Sequence, residues 1–212
     1  MIYYMDFLEK LNENEYISMY EKLSCLLPDF RRQKAEALRS ASMRAESAMS
    51  YLLLCYGLNK EYPEFFPMSY HPKFAYNESG KPYLKAHSDI HFNISHCRNS
   101  IACAIHSADV GIDIQDVRAP RAALLNRFEG IFSEEEEEFT KKWSRIEAIG
   151  KLIGTGITPE LIYKYGAPDF PASHNITVFT QKKAAAYISA AFYGEVYFNS
   201  NITSVLFSEL SS

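Results

Sequence analysis

The stretch VGIDIQDVR, residues 110–118, places a carboxylate inside an apolar run. Side chains alternate along a strand, so Asp113 and Gln115 share one face while most of the aliphatic residues share the other. A carboxylate in such a place costs free energy unless a cation or a hydrogen-bond donor pairs with it. Asp113 is therefore a candidate for holding a metal ion or a basic group, and Gln115 would present an amide oxygen beside it.

A second candidate group lies in WSRIEAIGK, residues 143–151. Glu147 and Lys151 are four residues apart, so they share one face if the segment is helical. The same spacing also describes a surface ion pair that contributes only about a few tenths of a kcal/mol. Together with Asp113, however, the pair would supply a second carboxylate and a cation.

Two further segments carry polar groups at strand ends or turns. In FNISH, residues 92–96, Ser95 and His96 are adjacent, so in a strand they point to opposite faces and do not form a nucleophile–base pair. In SGKPYL, Gly80 and Pro82 frame a turn that presents Lys81. That turn lacks the long glycine-rich frame of a P-loop.

Combined, these groups predict a site for an anionic phosphate ligand. Mg²⁺ prefers oxygen ligands and usually keeps waters and substrate phosphates, so Asp113 and Glu147 are its predicted ligands. Carboxylates, Mg²⁺ and cations are what phosphoryl chemistry needs, which leaves kinases, nucleotidyl transferases and phosphodiesterases open. The cations predicted to neutralise further phosphates are Lys81, Lys151, Arg44 and His96.

Hydrophobic periodicity predicts the elements that must position these groups. The predicted strands are IYYMDF, DIHFNISH, SIACAIH, VGIDIQDV, ITVFTQ, AAAYISAAFY, EVYFNS and ITSVLF. A helix is predicted in NENEYISMYEKLSCLL, and a long one from Pro28 in its first turn to Gly57 as its stop. Residues 119–154 are predicted to be mostly helical, with a break near 130–133 and a capping box from Ser133 to Glu136. Residues 59–85 are predicted as loop.

The order of these elements suggests two similar halves. A strand, a long helix and further strands occur in residues 1–108 and again in residues 109–212. Strands are grouped rather than alternating strictly with helices, which argues against a doubly wound parallel sheet. The predicted fold class is therefore α+β, with the candidate metal ligands in the second half.

Composition narrows the class of protein. The chain has 212 residues, 47% hydrophobic, with a formal net charge of -4, which disfavours a nucleic-acid binder. The longest apolar run, YLLLCYGL, is too short for a membrane span. The four cysteines lack metal-site spacing and are expected to be free thiols in a reducing compartment. The first ten residues do not resemble a signal peptide, so a cytoplasmic protein is expected.

Four short motifs occur in one order: GKP, FNISH, VGIDIQ and WSRIEAIGK. They resemble the GKP turn, N-[IL]-S-H strand, [VI]-G-[IV]-D-[IV]-E strand and W-x-x-K-E-[AS]-x-x-K helix of the 4′-phosphopantetheinyl transferases of the surfactin-synthetase type. The resemblance covers roughly residues 27–156. It implies Mg²⁺-dependent transfer of phosphopantetheine from coenzyme A to a serine of an apo acyl or peptidyl carrier protein, releasing adenosine 3′,5′-bisphosphate. It also implies a pseudo-dimer of two α+β halves with coenzyme A in the cleft between them.

The resemblance implies a role for each matching residue. Asp113 and Glu147 would coordinate Mg²⁺, and Glu147 would take the proton from the carrier serine, directly or through water. Lys151 would steady or protonate the departing adenosine 3′,5′-bisphosphate, and Glu136 stands roughly where the family has a glutamate before its Trp-containing helix. The residues implied to bind the phosphates of coenzyme A are Lys81, Ser95, His96 (at the 3′-phosphate), Arg44 and Arg31.

Three positions depart from the family pattern. Gln115 stands where many members have a glutamate ligand; its carbonyl can bind Mg²⁺ without adding charge, so two protein carboxylates are expected. Ile146 replaces a lysine before Glu147, and Thr155 stands where a lysine often occurs. The last two losses are expected on the side that meets ligand phosphate or carrier, where they would lower activity or alter carrier choice.

Two alternatives remain open. The chain could be a degenerate relative that binds coenzyme A or a carrier with little transfer activity, which the three departures motivate. It could instead be an unrelated Mg²⁺-dependent phosphotransferase or hydrolase, which would turn over a nucleotide with no carrier present. A monomer is expected, because two halves in one chain would complete the cleft.

Overall fold

The computed structural model describes residues 1–6, 11–68, 70–98, 100–167, 175–195 and 201–211. It is an α+β fold, as predicted from the grouping of strands and helices. The strands are β1 (Ile2–Asp6), β2 (Phe74–Tyr76), β3 (Pro82–Leu84), β4 (His91–Cys97), β5 (Ser100–His106), β6 (Val110–Asp116), β7 (Ile176–Lys183), β8 (Ala186–Tyr193) and β9 (Ile202–Ser204). The helices are α1 (Glu13–Ser24), α2 (Asp29–Glu36), α3 (Ala41–Glu61), α4 (Ala122–Arg127), α5 (Glu136–Ile153), α6 (Pro159–Gly166) and a final 3-10 turn, Phe207–Ser211.

Two sheets repeat one topology. In the first, β4, β5 and β1 are neighbours in that order and pair antiparallel, and β9 adds to the outer edge of β1 in parallel. In the second, the order is β7, β8 and β6, again antiparallel. In both cases the chain forms one strand, then helices, and then a hairpin. The last strand of the hairpin lies between the hairpin's first strand and the strand formed first. Strands β2 and β3 form a separate hairpin.

The two sheets pack face to face and each carries a helix on its outer side. Alternate residues of β1, β5, β6 and β8, including Ile112, Ile114 and Ile188, form the apolar layer between the sheets. Helix α3 covers the outer face of the first sheet, and α5 covers that of the second. Because side chains alternate along β6, Asp113 points away from the inter-sheet layer and toward α5. No helix within the described ranges is long and apolar enough to cross a bilayer.

The single long helix predicted from Pro28 to Gly57 is wrong, because the chain forms two helices there, α2 and α3. Ser40 begins α3 by accepting a hydrogen bond from the Met43 N–H at 3.2 Å. Gly57 lies inside α3 rather than at its end. A Cβ atom at Gly57 would lie 2.7 Å from Ile105 Cδ1 and 2.8 Å from a Tyr3 ring carbon. The glycine therefore allows the helix to approach the first sheet closely and does not stop it.

Local capping also differs from the sequence prediction at the start of α5. Glu135, not Ser133, caps the helix, since its carboxylate accepts the Glu138 N–H at 2.8 Å. The Ser133 hydroxyl instead accepts the Glu135 N–H at 3.1 Å. Glu136 is the first residue of the helix, and Glu137 contacts Lys182 and Tyr187, so this acidic run joins α5 to the β7–β8 hairpin.

The remaining strand predictions within the described residues are confirmed, except that ITSVLF forms a strand only over Ile202–Ser204 and is followed by the 3-10 turn. The predicted loop at 59–85 contains the end of α3 and the β2–β3 hairpin. The predicted strand EVYFNS falls almost wholly on residues 196–200, which lie outside the described residues.

Candidate functional site

Strands β4 and β6 belong to different sheets yet lie side by side, joined by side chains. The Asn93 Oδ1 atom accepts the Ile112 N–H at 3.2 Å, and the Ser95 hydroxyl accepts the Ile114 N–H at 3.2 Å. Both side chains come from the same face of β4, because the residues are two apart. They satisfy two amide groups on the edge of β6 that a neighbouring strand would otherwise have to bind. We call this junction the β4–β6 seam.

The seam continues to the end of both strands through the Asp116 carboxylate. One oxygen accepts a hydrogen bond from the Cys97 thiol at 3.2 Å, and the other accepts the Arg98 N–H at 3.1 Å. The position of β6 beside β4 therefore depends on the identity of several side chains rather than on a backbone ladder.

Asp113 sits in the middle of the seam and is only 2% exposed. Its Oδ1 atom accepts hydrogen bonds from the Ser95 hydroxyl at 2.9 Å and from Lys151 Nζ at 2.7 Å. Lys151 Nζ also donates to the Ser95 hydroxyl at 2.7 Å, so the three groups form a closed triangle. The second carboxylate oxygen, Oδ2, is buried and has no hydrogen-bond partner in the described parts of the chain.

The electrostatics of Asp113 are dominated by its burial. Removal from water raises the pKa of this carboxyl well above its ordinary value, while the Lys151 charge lowers it and the nearby negative charge of Glu147 raises it further. The hydrogen bonds from Lys151 and Ser95 also lower the pKa, but not enough to offset burial. When Asp113 is ionised, the Lys151 charge and the two hydrogen bonds therefore offset only part of the free-energy cost of burying its charge. A cation at the unpartnered Oδ2 would supply it.

Helix α5 positions Glu147 and Lys151 because it packs directly on β6. A Cβ atom at Gly111 would lie 2.1 Å from the Ala148 carbonyl oxygen and 2.4 Å from the Leu152 nitrogen. Only glycine leaves room for the helix backbone at that distance. Gly111 is two residues from Asp113 on the same face of β6, so this close contact sets the height of the α5 side chains above the carboxylate.

Lys81 joins the same region from the β2–β3 hairpin. Its Nζ atom lies 3.3 Å from Asp109 Oδ1 and 3.2 Å from the Val110 carbonyl oxygen, at the start of β6. The turn before Lys81 also rests on the end of α5, since a Cβ atom at Gly154 would lie 2.7 Å from the Ser79 hydroxyl. The GKP turn and the C-terminal end of α5 therefore meet beside β6.

His96 and Arg31 extend the site toward α3. The exposed His96 ring has its Nδ1 atom 3.8 Å from Glu46 Oε2 on α3. Arg31 lies on α2, from which its guanidinium donates to the carbonyl oxygen of Ser47, the next residue after Glu46 on α3, at 3.4 Å. Its guanidinium lies 4.8 Å from the centre of the Tyr51 ring, and burial lowers its pKa. Contacts thus run from Asp113 through β4 to α3 and α2.

Neither Arg44 nor Gln115 makes a hydrogen bond or ion pair to Asp113, Ser95 or Lys151 in the described parts of the chain. The Nε atom of Arg44 donates to the Leu38 carbonyl oxygen at 3.0 Å, at the junction of α2 and α3. Within the described ranges, no hydrogen bond or ion pair links Arg44 to Asp113 or its partners. Gln115 is partly buried on the same face of β6 as Asp113, opposite Tyr187 in the register. Their predicted roles remain predictions.

The expectation that Ile146 faces ligand phosphate or carrier is wrong. Ile146 is 1% exposed and belongs to the apolar cluster beneath α5, where its Cδ1 atom approaches Gly166 of α6. An isoleucine at this position completes the apolar core beneath α5. Thr155, in contrast, is exposed after the end of α5.

Sequence reasoning missed two residues that hold the site together. Asn93 fixes β6 through the Ile112 amide, and Trp143 donates its indole N–H to Glu147 Oε2 at 2.9 Å. The spacing of each residue from a predicted site residue could have indicated it. Asn93 is two residues before Ser95 in a strand, and Trp143 is four residues before Glu147 in a helix, so each shares a face with its neighbour.

The carboxylates of Asp113 and Glu147 fit a cation that takes most of its ligands from water and substrate rather than from the protein. No group of three or more His, Cys, Asp or Glu side chains in the described segments is arranged to hold a metal ion by itself. Asp113 offers an unpartnered buried oxygen, and Glu147 is a second carboxylate close enough to raise its pKa. Two carboxylates plus waters and substrate phosphates is a usual environment for Mg²⁺.

Comparison with known proteins identifies relatives of one kind. No family model matches the chain. A 4′-phosphopantetheinyl transferase of Bacillus subtilis is 35% identical over 98 residues, covering 40% of this chain and 42% of that protein. One of Bacillus pumilus is 27% identical over 175 residues, covering 78% and 71%. Another, from Bacillus subtilis strain 168, is 27% identical over 157 residues, covering 65% and 70%. The match to the first of these relatives thus spans less than half of its length.

Proposed function

We propose that this chain, a relative of the 4′-phosphopantetheinyl transferases of the surfactin-synthetase type, transfers the 4′-phosphopantetheine group of coenzyme A to a serine of an apo carrier protein. The reaction would depend on Mg²⁺ and release adenosine 3′,5′-bisphosphate. The observation that carries the proposal is the Asp113 cluster: a buried carboxylate with one oxygen held by Lys151 and Ser95 and the other left without a partner.

Asp113 and Glu147 would hold the metal ion in this site, with Gln115 as a neutral oxygen donor beside them. When bound, Mg²⁺ would spread and fix the negative charge of the coenzyme A pyrophosphate. Lys151 already holds Oδ1 of Asp113 at 2.7 Å, which leaves Oδ2 for the metal. In this proposal the two oxygens of one carboxylate would have different partners, Lys151 at Oδ1 and the metal ion at Oδ2.

The remaining steps would be carried by this chain's own side chains. Glu147 would accept the proton of the attacking serine hydroxyl, directly or through a water, which requires a distance of about 3 Å in the complex. Lys151 would stabilise the charge that develops on the departing bisphosphate. The side chains proposed to bind the phosphates of coenzyme A are Lys81, Ser95, His96, Arg31 and, from the sequence alone, Arg44.

The repeated sheet topology supports the further proposal that residues 1–108 and 109–212 form two similar halves of a pseudo-dimer, except that β9, within the second range, pairs with β1 of the first sheet. Each half has a first strand, a long helix and a hairpin with its last strand in the centre of a sheet. Coenzyme A would then lie along the β4–β6 seam, where the two halves meet. The proposed phosphate-binding residues come from the first half, and the proposed metal ligands come from the second.

The direct test is intact-mass measurement of several apo carrier proteins after incubation with this protein, coenzyme A and Mg²⁺, with and without a chelator. A chelator-sensitive mass gain of one phosphopantetheine on any carrier would establish the activity. No gain on any carrier, in a preparation that still binds coenzyme A, would contradict the proposal and favour a degenerate binding protein. Turnover of a nucleotide without carrier would instead favour an unrelated phosphotransferase or hydrolase.

The Gln115→Glu variant is expected to need severalfold less Mg²⁺ for half-maximal transfer than the wild type. It would add a third carboxylate on the Asp113 face of β6, and Mg²⁺ binds charged oxygens more tightly than amide oxygens. The measurement is the transfer rate against Mg²⁺ concentration. The exposed Gln33 offers a control, since Gln33→Glu adds the same charge on α2 and should leave the Mg²⁺ curve unchanged. An unchanged curve for Gln115→Glu would remove residue 115 from the metal site.

A further inference from the structure

Trp143 is the single tryptophan of the chain and lies in contact with the proposed site. Its Nε1–H donates to Glu147 Oε2 at 2.9 Å, one helical turn further along α5. The other oxygen of Glu147, Oε1, has no hydrogen-bond partner among the residues that the structure describes. A hydrogen bond to a charged acceptor is shorter and stronger than one between neutral groups, so the indole restricts the Glu147 carboxylate.

The indole ring is itself held on several sides. The Phe132 and Phe139 ring centres both lie 5.8 Å from that of Trp143. The Arg118 guanidinium lies 5.4 Å from the Phe139 ring centre and 5.8 Å from that of Trp143. A cation over an aromatic face is attracted to it, which adds to the packing of the two rings. The ring therefore has little freedom to turn its N–H away from Glu147.

Arg118 is in turn fixed by the same helix. Its backbone N–H donates to the Thr140 hydroxyl at 3.1 Å, and that hydroxyl lies 3.3 Å from the Arg118 carbonyl oxygen. Arg118 lies two residues after the end of β6, the strand that carries Asp113. The chain of contacts from Arg118 to Trp143 to Glu147 therefore ties the end of the metal-site strand to the second metal-site carboxylate.

We propose that Trp143 is a positioning residue that holds Glu147 through Oε2 and presents Oε1 to a divalent cation shared with Asp113. The inference rests on the proposed function for the identity of the site, but it concerns metal affinity rather than transfer itself. A carboxylate that is already oriented loses less conformational freedom when it binds a ligand. Without the indole N–H, Glu147 would have to be ordered by the metal ion.

The Trp143→Phe variant removes the N–H and keeps an aromatic ring. It is expected to need about tenfold more Mg²⁺ for half-maximal transfer, because one hydrogen bond to a charged group is lost. The rate at saturating Mg²⁺ should stay close to that of the wild type. Titration calorimetry of Mg²⁺ in the presence of coenzyme A, without carrier, should show the same tenfold weakening.

Phe128→Leu is the matched control, since Phe128 belongs to the same apolar cluster and its ring packs on Phe132 and Tyr163 rather than on the indole. It should lower the melting temperature without changing the Mg²⁺ dependence. A Trp143→Phe protein with the wild-type Mg²⁺ curve and calorimetric affinity would overturn the proposal. A loss of rate at all Mg²⁺ concentrations with unchanged affinity would also overturn it, because that pattern describes a purely structural role.

The tryptophan also supplies a spectroscopic test in the unmodified protein. With excitation selective for tryptophan, emission reports on Trp143 alone, despite the 15 tyrosines. Addition of Mg²⁺ to the protein with coenzyme A should change the emission, and Glu147→Gln should abolish the change. An emission change without transfer on any carrier would keep the positioning role and reject the proposed function. Transfer without an emission change, together with wild-type metal affinity in Trp143→Phe, would support the proposed function and reject the positioning role of Trp143.

Discussion

Replacement of Asp113 by asparagine is expected to reduce phosphopantetheine transfer by about 1,000-fold or more and to leave the protein folded. The amide has the same shape and can still accept hydrogen bonds from Lys151 and Ser95 through one oxygen. It cannot offer a charged Oδ2 to a metal ion, since that position becomes a donor NH₂ group. The variant therefore separates the charge of residue 113 from its packing.

The same substitution is expected to stabilise the protein increasingly as the pH rises. Burial raises the pKa of Asp113, so the folded state binds this proton more tightly than the unfolded state does. The contribution of Asp113 to stability must then fall as the pH rises from its unfolded pKa through its folded pKa, because ionisation becomes costly in the fold. Asparagine carries no proton to lose, so the difference in the free energy of unfolding should favour the variant more at pH 8 than at pH 4.

Denaturant unfolding at several pH values, beside the mass assay, checks both parts of this prediction. Asp6→Asn is a suitable control, because Asp6 lies on β1, outside the β4–β6 seam, and accepts a hydrogen bond from the Ser100 hydroxyl without touching Lys151. It should transfer at close to the wild-type rate. Wild-type transfer by folded Asp113→Asn would remove Asp113 from the metal site and with it the basis of the proposed mechanism.

Gly111→Ala is expected to destabilise the protein by about 3 kcal/mol. The added Cβ atom would lie 2.1 Å from the Ala148 carbonyl oxygen and 2.4 Å from the Leu152 nitrogen, and both are backbone atoms of α5. Helix α5 cannot accommodate the methyl group by changing a rotamer, so it must shift away from β6. A shift of that kind would also carry Glu147 and Lys151 away from Asp113.

Urea unfolding and the transfer assay measure the two consequences of Gly111→Ala. Ile112→Val, on the next residue and in the inter-sheet layer, is the control for a buried change on the same strand and should cost about 1 kcal/mol. If Gly111→Ala unfolded at the wild-type urea concentration, the close contact between α5 and β6 described above would be wrong.

The site was largely predictable because its charged residues recur at strand and helix spacings. Asp113 in an apolar strand required a partner, and the structure supplies Lys151 at 2.7 Å. Glu147 and Lys151 share a face of α5, as their four-residue spacing predicted. The position of Lys81 beside β6 also agrees with the motif order, although no local pattern indicates that the GKP turn rests on the end of α5.

What the sequence did not reveal depends on contacts between distant segments. Gly57 looked like a helix stop because glycine often ends helices, but here it serves close packing against Tyr3 and Ile105. Ile146 occupies a position that carries lysine in the family pattern, and its burial depends on the apolar cluster that α5 forms with α6 and the segment before α5. The role of Asn93 requires knowing that β6 lies beside β4, which no periodicity in either strand indicates.

The β4–β6 seam has a consequence for the behaviour of the protein when it begins to open. Each of these strands is the edge of its own sheet, and the edge of β6 is covered by the side chains of Asn93 and Ser95. Separation of the two sheets would expose two strand edges at once, and an uncovered edge is a template for pairing with another molecule. Aggregation should therefore begin from a form in which both sheets are still intact, and the seam protects the chain from self-association as well as placing Asp113.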